Sequence, residues 1–158
     1  MKLWLIESHN VKIYTMKKES LSLKNLKFHE DMSEETPCFS ADLYKDGKLF
    51  AYVKNSGRGG CNDYTPAKGV THQDVQPLYG LDLDCHVMGL AEELNFVKKN
   101  QTSKLVLKKD DNFYTLKYKH SFSKIRKGLG KGYEKWIKEQ VKKQEDEGYK
   151  VLNTNLGI

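Results

Sequence analysis

Residues 39–64 read FSADLYKDGKLFAYVKNSGRGGCNDY, and this stretch sets the fold class. Phe39, Ala41 and Leu43 alternate with Ser40, Asp42 and Tyr44, the period-2 pattern of a half-buried strand. Asp46-Gly47 follows, a dipeptide that accepts positive φ and so closes a tight hairpin. Leu49, Ala51 and Val53 then alternate with Phe50, Tyr52 and Lys54, which predicts the returning strand. That strand should end at Asn55-Ser56-Gly57-Arg58-Gly59-Gly60, where three glycines in four residues open backbone conformations closed to other residues.

Outward from the hairpin, the pattern is mixed. Val11, Ile13 and Thr15 suggest a short strand, Ser20-Leu21-Ser22 a connector, and Leu23, Leu26 and Phe28 a second strand with its period disturbed at Asn25. Asn62 to Gly80 lacks periodicity, apart from one helical turn that Thr71 can cap. Val87, Leu90, Ala91, Leu94 and Val97 predict a helix over 82–100, with Asp82 or Asp84 as its cap. Leu105–Leu107 and Tyr114–Lys119 flank Asp110-Asp111-Asn112 and predict a second hairpin. Residues 121–132, SFSKIRKGLGKG, read as a flexible basic connector. Trp136, Ile137 and Val141 predict a second helix over 133–147, stopped by Gly148, with a last strand over 149–153. The expectation is one α+β domain spanning residues 1–158. Its antiparallel sheet is built from the two hairpins, and the two helices pack on one face.

Several function classes drop out on composition. The 158 residues are 38% hydrophobic and 30% charged, the balance of a globular chain with a charged surface. Met1–Ile6 is too short for a signal-peptide core, and no apolar run nears the ~20 residues that span a bilayer, so a cytoplasmic location with no membrane partner is expected. Cys38, Cys61 and Cys85 are odd in number and lack metal-ligand spacing. A zinc site from Cys61, His72, Cys85 and His86 matches no standard pattern, so neither metal nor cofactor is expected. No nucleophile elbow, zinc-protease or phosphate-loop motif is present, and no catalytic residue is assigned.

Charge points to an anionic partner. Up to Val97, 11 Lys and Arg stand against 14 Asp and Glu; from Lys98 onward, 16 stand against 7. Such asymmetry suits nucleic acid or a phosphorylated nucleotide. The glycine turn is the candidate site. Its N–H groups could form an anion-binding concavity around Gly59 and Gly60, with Arg58 offering a planar fork. Lys54, Asn55, Asn62 and Tyr64 add donors, and Tyr64 could stack on a base. Lys117 and Lys119 on the second hairpin extend the candidate ligand-binding set. Two alternatives remain. One is a small phosphodiesterase or nuclease using a pair among His9, His29, His72, His86 and His120. The other is a protein inhibitor that meets an acidic host protein.

The runs Ser33-Glu34-Glu35-Thr36 and Cys38-Phe39-Ser40-Ala41, the Asp46-Gly47-Lys48 turn and Asn55-x-Gly-Arg-Gly-Gly-Cys-Asn carry a resemblance. Glu147-Gly148-Tyr149 and Val151–Asn155 carry it further. Together they resemble a group of small bacteriophage- or prophage-encoded proteins. The resemblance implies a phage accessory protein that acts in the bacterial host's cytoplasm and antagonises a host defence system. It implies no catalytic residue.

Overall fold

The computed structural model describes residues 16–158. The strand expected over Val11–Thr15 lies outside the described residues, as does His9. The chain is α+β, with two antiparallel sheets rather than one. The first sheet has the order β1 (Leu21–Phe28), β2 (Cys38–Lys45), β3 (Lys48–Ser56), β4 (Asp63–Pro66). The second has β6 (Asn112–Lys117), β5 (Lys104–Lys109), β7 (Lys150–Val151). The two expected hairpins both form, but each belongs to its own sheet.

The β2–β3 hairpin turns where its residue types demand. Asp46 and Gly47 have φ of +51 and +76, the doubly left-handed turn that matches strand twist. Pairing of Ala41 with Val53 and Leu43 with Ala51 puts these small and branched side chains on one buried face. Leu21 and Leu23 join them from β1, whose register shifts between Lys24 and Lys27. Asn25 takes φ +53 there, which is the physical cause of its broken period.

Helix α2 (Leu81–Asn100) lies on that face with Val87 and Ala91 fully buried. Its N-cap is Gly80 without a side-chain bond, so neither Asp82 nor Asp84 is the cap. Helix α1 (His72–Val75) is closed by a reciprocal capping box between Thr71 and Asp74. The second sheet meets α2 on its other side. Phe113 stacks on Phe96 at 5.1 Å between ring centroids, and Lys108 pairs with Glu93 at 2.7 Å. Its remaining face carries Leu105 and Leu107 against Phe122, Tyr133 and Ile137.

Those last residues belong to helices α3 (Phe122–Leu129) and α4 (Tyr133–Asp146). The expected flexible connector is therefore mostly helix, started by the Ser121 hydroxyl accepting from the Lys124 N–H. Gly148, at φ +87, ends the α4 region as expected. The final strand is shorter than expected. The Asn153 side chain replaces backbone pairing, accepting from the Val106 N–H at 2.7 Å and donating to the Lys104 carbonyl at 2.9 Å.

Candidate anion-binding surface

The glycine turn folds inward. The Gly57 carbonyl accepts from the N–H groups of Glu34 and Glu35 at 2.9 and 3.0 Å, with Thr36 at 3.4 Å. The Gly57 N–H donates to Asn55 Oδ1 at 2.9 Å, and the Gly59 N–H donates to Thr36 Oγ1 at 3.2 Å. The Thr36 hydroxyl in turn donates to Asn55 Oδ1 at 2.7 Å. Two of the turn's N–H groups are thus satisfied within the chain, which corrects the reading of the turn as an open concavity.

Asn55, Asn62 and Tyr64 are buried, and their polar groups are spent on each other and on Asp84. Asn55 Nδ2 donates to Asn62 Oδ1 at 3.0 Å. Asn62 donates to the Asp84 carboxylate from Nδ2 at 2.9 Å and from its backbone N–H at 3.2 Å. The Tyr64 hydroxyl donates to the same carboxylate at 2.6 Å. Burial, then the bond to Asp84, pushes the Tyr64 phenol well above the ordinary tyrosine range. Tyr64 also packs edge-on against Tyr79 at 5.2 Å. Its ring is enclosed and is not offered to a base. Asp84 lies in the first turn of α2, where unpaired helix N–H dipoles favour a negative charge. These four side chains tie the turn to the helix.

The exposed members of the expected set fall on two surfaces. Lys54 lies on the open face of the first sheet, and Arg58 is exposed just past the end of β3. Gly59 is half-buried and Gly60 exposed beside Arg58. A groove of about 390 Å³ crosses that face, lined by Lys27, Ser40, Tyr52, Lys54 and Thr65 among others. Lys117 and Lys119 lie at the far end of β6 in the other sheet. The structure does not bring them into one element with the glycine turn.

A third surface holds the densest charge. Residues 121–143 contain eight Lys and Arg against two Glu, a net of +6 that equals the charge of the whole chain. Lys131, Lys135, Lys138 and Lys142 recur at spacings of four, three and four, so they share one face of α4 and its lead-in turn. With Glu134 and Glu139 they line a shallow cavity of about 480 Å³. Glu134 hydrogen-bonds Lys138, which holds its carboxyl below the usual range. Arg126 is occupied elsewhere, donating to the Leu156 carbonyl at 2.6 Å and stacking on Tyr133 at 4.7 Å. This row lies outside the ligand-binding set expected above, although its 4-3-4 spacing is legible in the sequence.

Catalytic geometry is thin. His29 follows β1, His72 opens α1, His86 sits on α2, and His120 precedes α3. Among the described residues no histidine is hydrogen-bonded to another histidine or to an acid; the His86 ring meets the Lys18 carbonyl at 3.2 Å. Among these residues no group of three or more His, Cys, Asp or Glu is placed to hold a metal ion. Cys38, Cys61 and Cys85 are free thiols, and Cys38 is buried. Among the described residues no helix is long and apolar enough to cross a membrane. No protein-family model matches the sequence, and no curated protein or solved structure is significantly similar to it.

Proposed function

We propose that this chain is a non-enzymatic binding protein whose partner carries phosphate, with the backbone of a nucleic acid as the ligand. The lysine row on α4 is the observation that carries this reading. Eleven residues separate Lys131 from Lys142, about 16 Å at helical rise. One strand of a duplex presents a phosphate every ~3.4 Å along its axis, so that length faces about five phosphates. Three lysines on α4 and one on its lead-in turn suit such a line of charge, and lysine contacts of this kind read backbone rather than sequence. Lys54 and Arg58 supply further positive charge at the end of the open sheet, where Tyr52 is 48% exposed and can stack on a base. The resemblance of residues 33–62 to phage-encoded proteins gives the setting. There the protein acts in the host cytoplasm against a defence system that handles nucleic acid or a nucleotide signal.

The test is the salt dependence of binding to a labelled duplex and to a labelled single strand. Four phosphate contacts give a slope of log affinity on log salt of about −3.6. The Lys135→Gln, Lys142→Gln double variant should flatten the duplex slope by about 2 units. The Lys54→Gln, Arg58→Ala pair should act chiefly on the single strand. A wild-type protein that binds neither probe at low salt sinks the reading and favours the acidic-protein partner instead.

A further inference from the structure

We infer that β6 is a self-association edge, and that two copies of this chain pair their β6 strands antiparallel about a two-fold axis at Thr115. Among the described residues β6 is one of the two outer strands of its sheet, with no strand paired on its far side. The Tyr118 N–H donates to the Ser103 carbonyl at 2.8 Å, continuing the register in which Lys117 faces Lys104. Bonded and non-bonded positions alternate in an antiparallel ladder. Tyr118, Leu116, Tyr114 and Asn112 therefore turn their backbone groups to β5, and Phe113, Thr115 and Lys117 turn theirs to the free edge. An unpaired edge of this kind is a template for another strand. The outer strand β1 is different, because its bulge at Asn25 interrupts the edge.

Three further features agree on the occupant and the register. Tyr114 and Leu116 are large apolar side chains left 44% and 38% exposed on one face of the edge strand. Centring the pair on Thr115 places Tyr114 of each copy opposite Leu116 of the other, in the closer non-bonded position of the ladder. Extended past the strand ends, the same register brings Asp111 in the turn towards Lys119, two residues beyond β6, of the second copy at both ends. The turn before the strand is acidic, with Asp110 and Asp111, and the strand's other end is basic, with Lys117 and Lys119, so antiparallel self-pairing is electrostatically complementary. Centring on Lys117 would instead set that lysine against its own copy. The product is a continuous six-stranded sheet, and this interface uses none of the α4 lysines.

Charge reversal with light scattering tests the register. Wild type should show a dimer mass that rises with concentration. Asp111→Lys and Lys119→Glu, each alone, should shift the protein to monomer while leaving the circular dichroism unchanged. An equimolar mixture of those two variants restores both contacts and should recover the dimer mass, as should one chain carrying both changes. Thr115→Pro, which removes an N–H at the free edge, should abolish the dimer in either background. A wild type that stays monomeric at millimolar concentration overturns the inference. So does a dimer indifferent to the charge reversals and to Thr115→Pro.

Discussion

Asn62 gives both its backbone N–H and its side-chain amide to the Asp84 carboxylate, across 22 residues of sequence and with no exposed surface of its own. This pair joins the glycine turn to the first turn of α2. It buries Asn55, Asn62 and Tyr64, residues that read as free donors of a ligand-binding loop, while Arg58 and Gly60 stay exposed. Asp84→Ala leaves the Asn62 backbone N–H and the Tyr64 hydroxyl without their acceptor, while Asn62 Nδ2 keeps the Tyr64 oxygen and the residue 84 carbonyl, and each buried orphan costs about 1–3 kcal/mol. The expected loss is about 3 kcal/mol in urea denaturation. Asp82→Ala is the control. Its side chain is 81% exposed and, among the described residues, pairs with Lys18 at the surface, so the change should stay within about 0.5 kcal/mol. Equal losses in the two variants would remove the network from any special role.

Tyr64 makes the same network sensitive to alkali. Its phenol is held neutral in the fold by burial and by the bond to Asp84, whereas the unfolded chain ionises near pH 10. A group with a raised folded pKa contributes its stability in full below the unfolded value and loses it as pH climbs beyond. Stability should therefore fall above about pH 10, by up to about 1.4 kcal/mol per pH unit for this one group. Tyr118, raised by burial, pulls in the same direction. Denaturation midpoints from pH 8 to 11 should fall less steeply in Tyr64→Phe than in wild type. Parallel curves would rule out the assigned proton.

The local parts of this fold were legible in the sequence and the non-local parts were not. The β2–β3 hairpin follows from alternation and an Asp-Gly turn, all within a few residues. The capping box at Thr71 and the stop at Gly148 are equally local. Partner choice is different. Nothing near Asn55, Asn62 or Tyr64 announces Asp84, so their polar side chains read as free donors. The two hairpins could have shared a sheet; instead each forms its own, and α2 packs against both. Helix α3 was hidden because glycines and lysines at 124–132 resemble a connector, and the Ser121 cap is one residue among many serines.

Gly57 and Gly60 separate strain from crowding in the turn. Both have φ above +80, a conformation that costs an alanine about 1–2 kcal/mol. A Cβ at Gly60 meets nothing within 4 Å, whereas one at Gly57 falls 2.1 Å from the Met32 carbonyl oxygen and 2.8 Å from Cys38 Cβ. Gly60→Ala should lose about 1 kcal/mol and bind its partner as wild type does. Gly57→Ala must displace backbone that the Gly57 carbonyl itself organises, and should lose at least about 3 kcal/mol. Similar melting temperatures for the two would show that the 33–36 segment yields without cost.

Tyr133 offers a stabilising change. Its ring is buried in the second cluster against Trp136 and beneath Arg126, yet its hydroxyl finds no hydrogen-bond partner among the described residues. A hydroxyl taken from water without a partner costs about 1–3 kcal/mol in folded proteins. Tyr133→Phe removes that oxygen and keeps the ring, its packing and the face that receives the guanidinium. The Arg126 bond to the Leu156 carbonyl is untouched, so the chain end stays anchored. The expected result is a gain of about 1 kcal/mol in urea denaturation with an unchanged denaturant slope. Tyr133→Leu should instead lose stability, because the stacked ring goes with the hydroxyl. If Tyr133→Phe is destabilised by 1 kcal/mol or more, the hydroxyl is bonded in solution and the cluster is wetter than this packing allows.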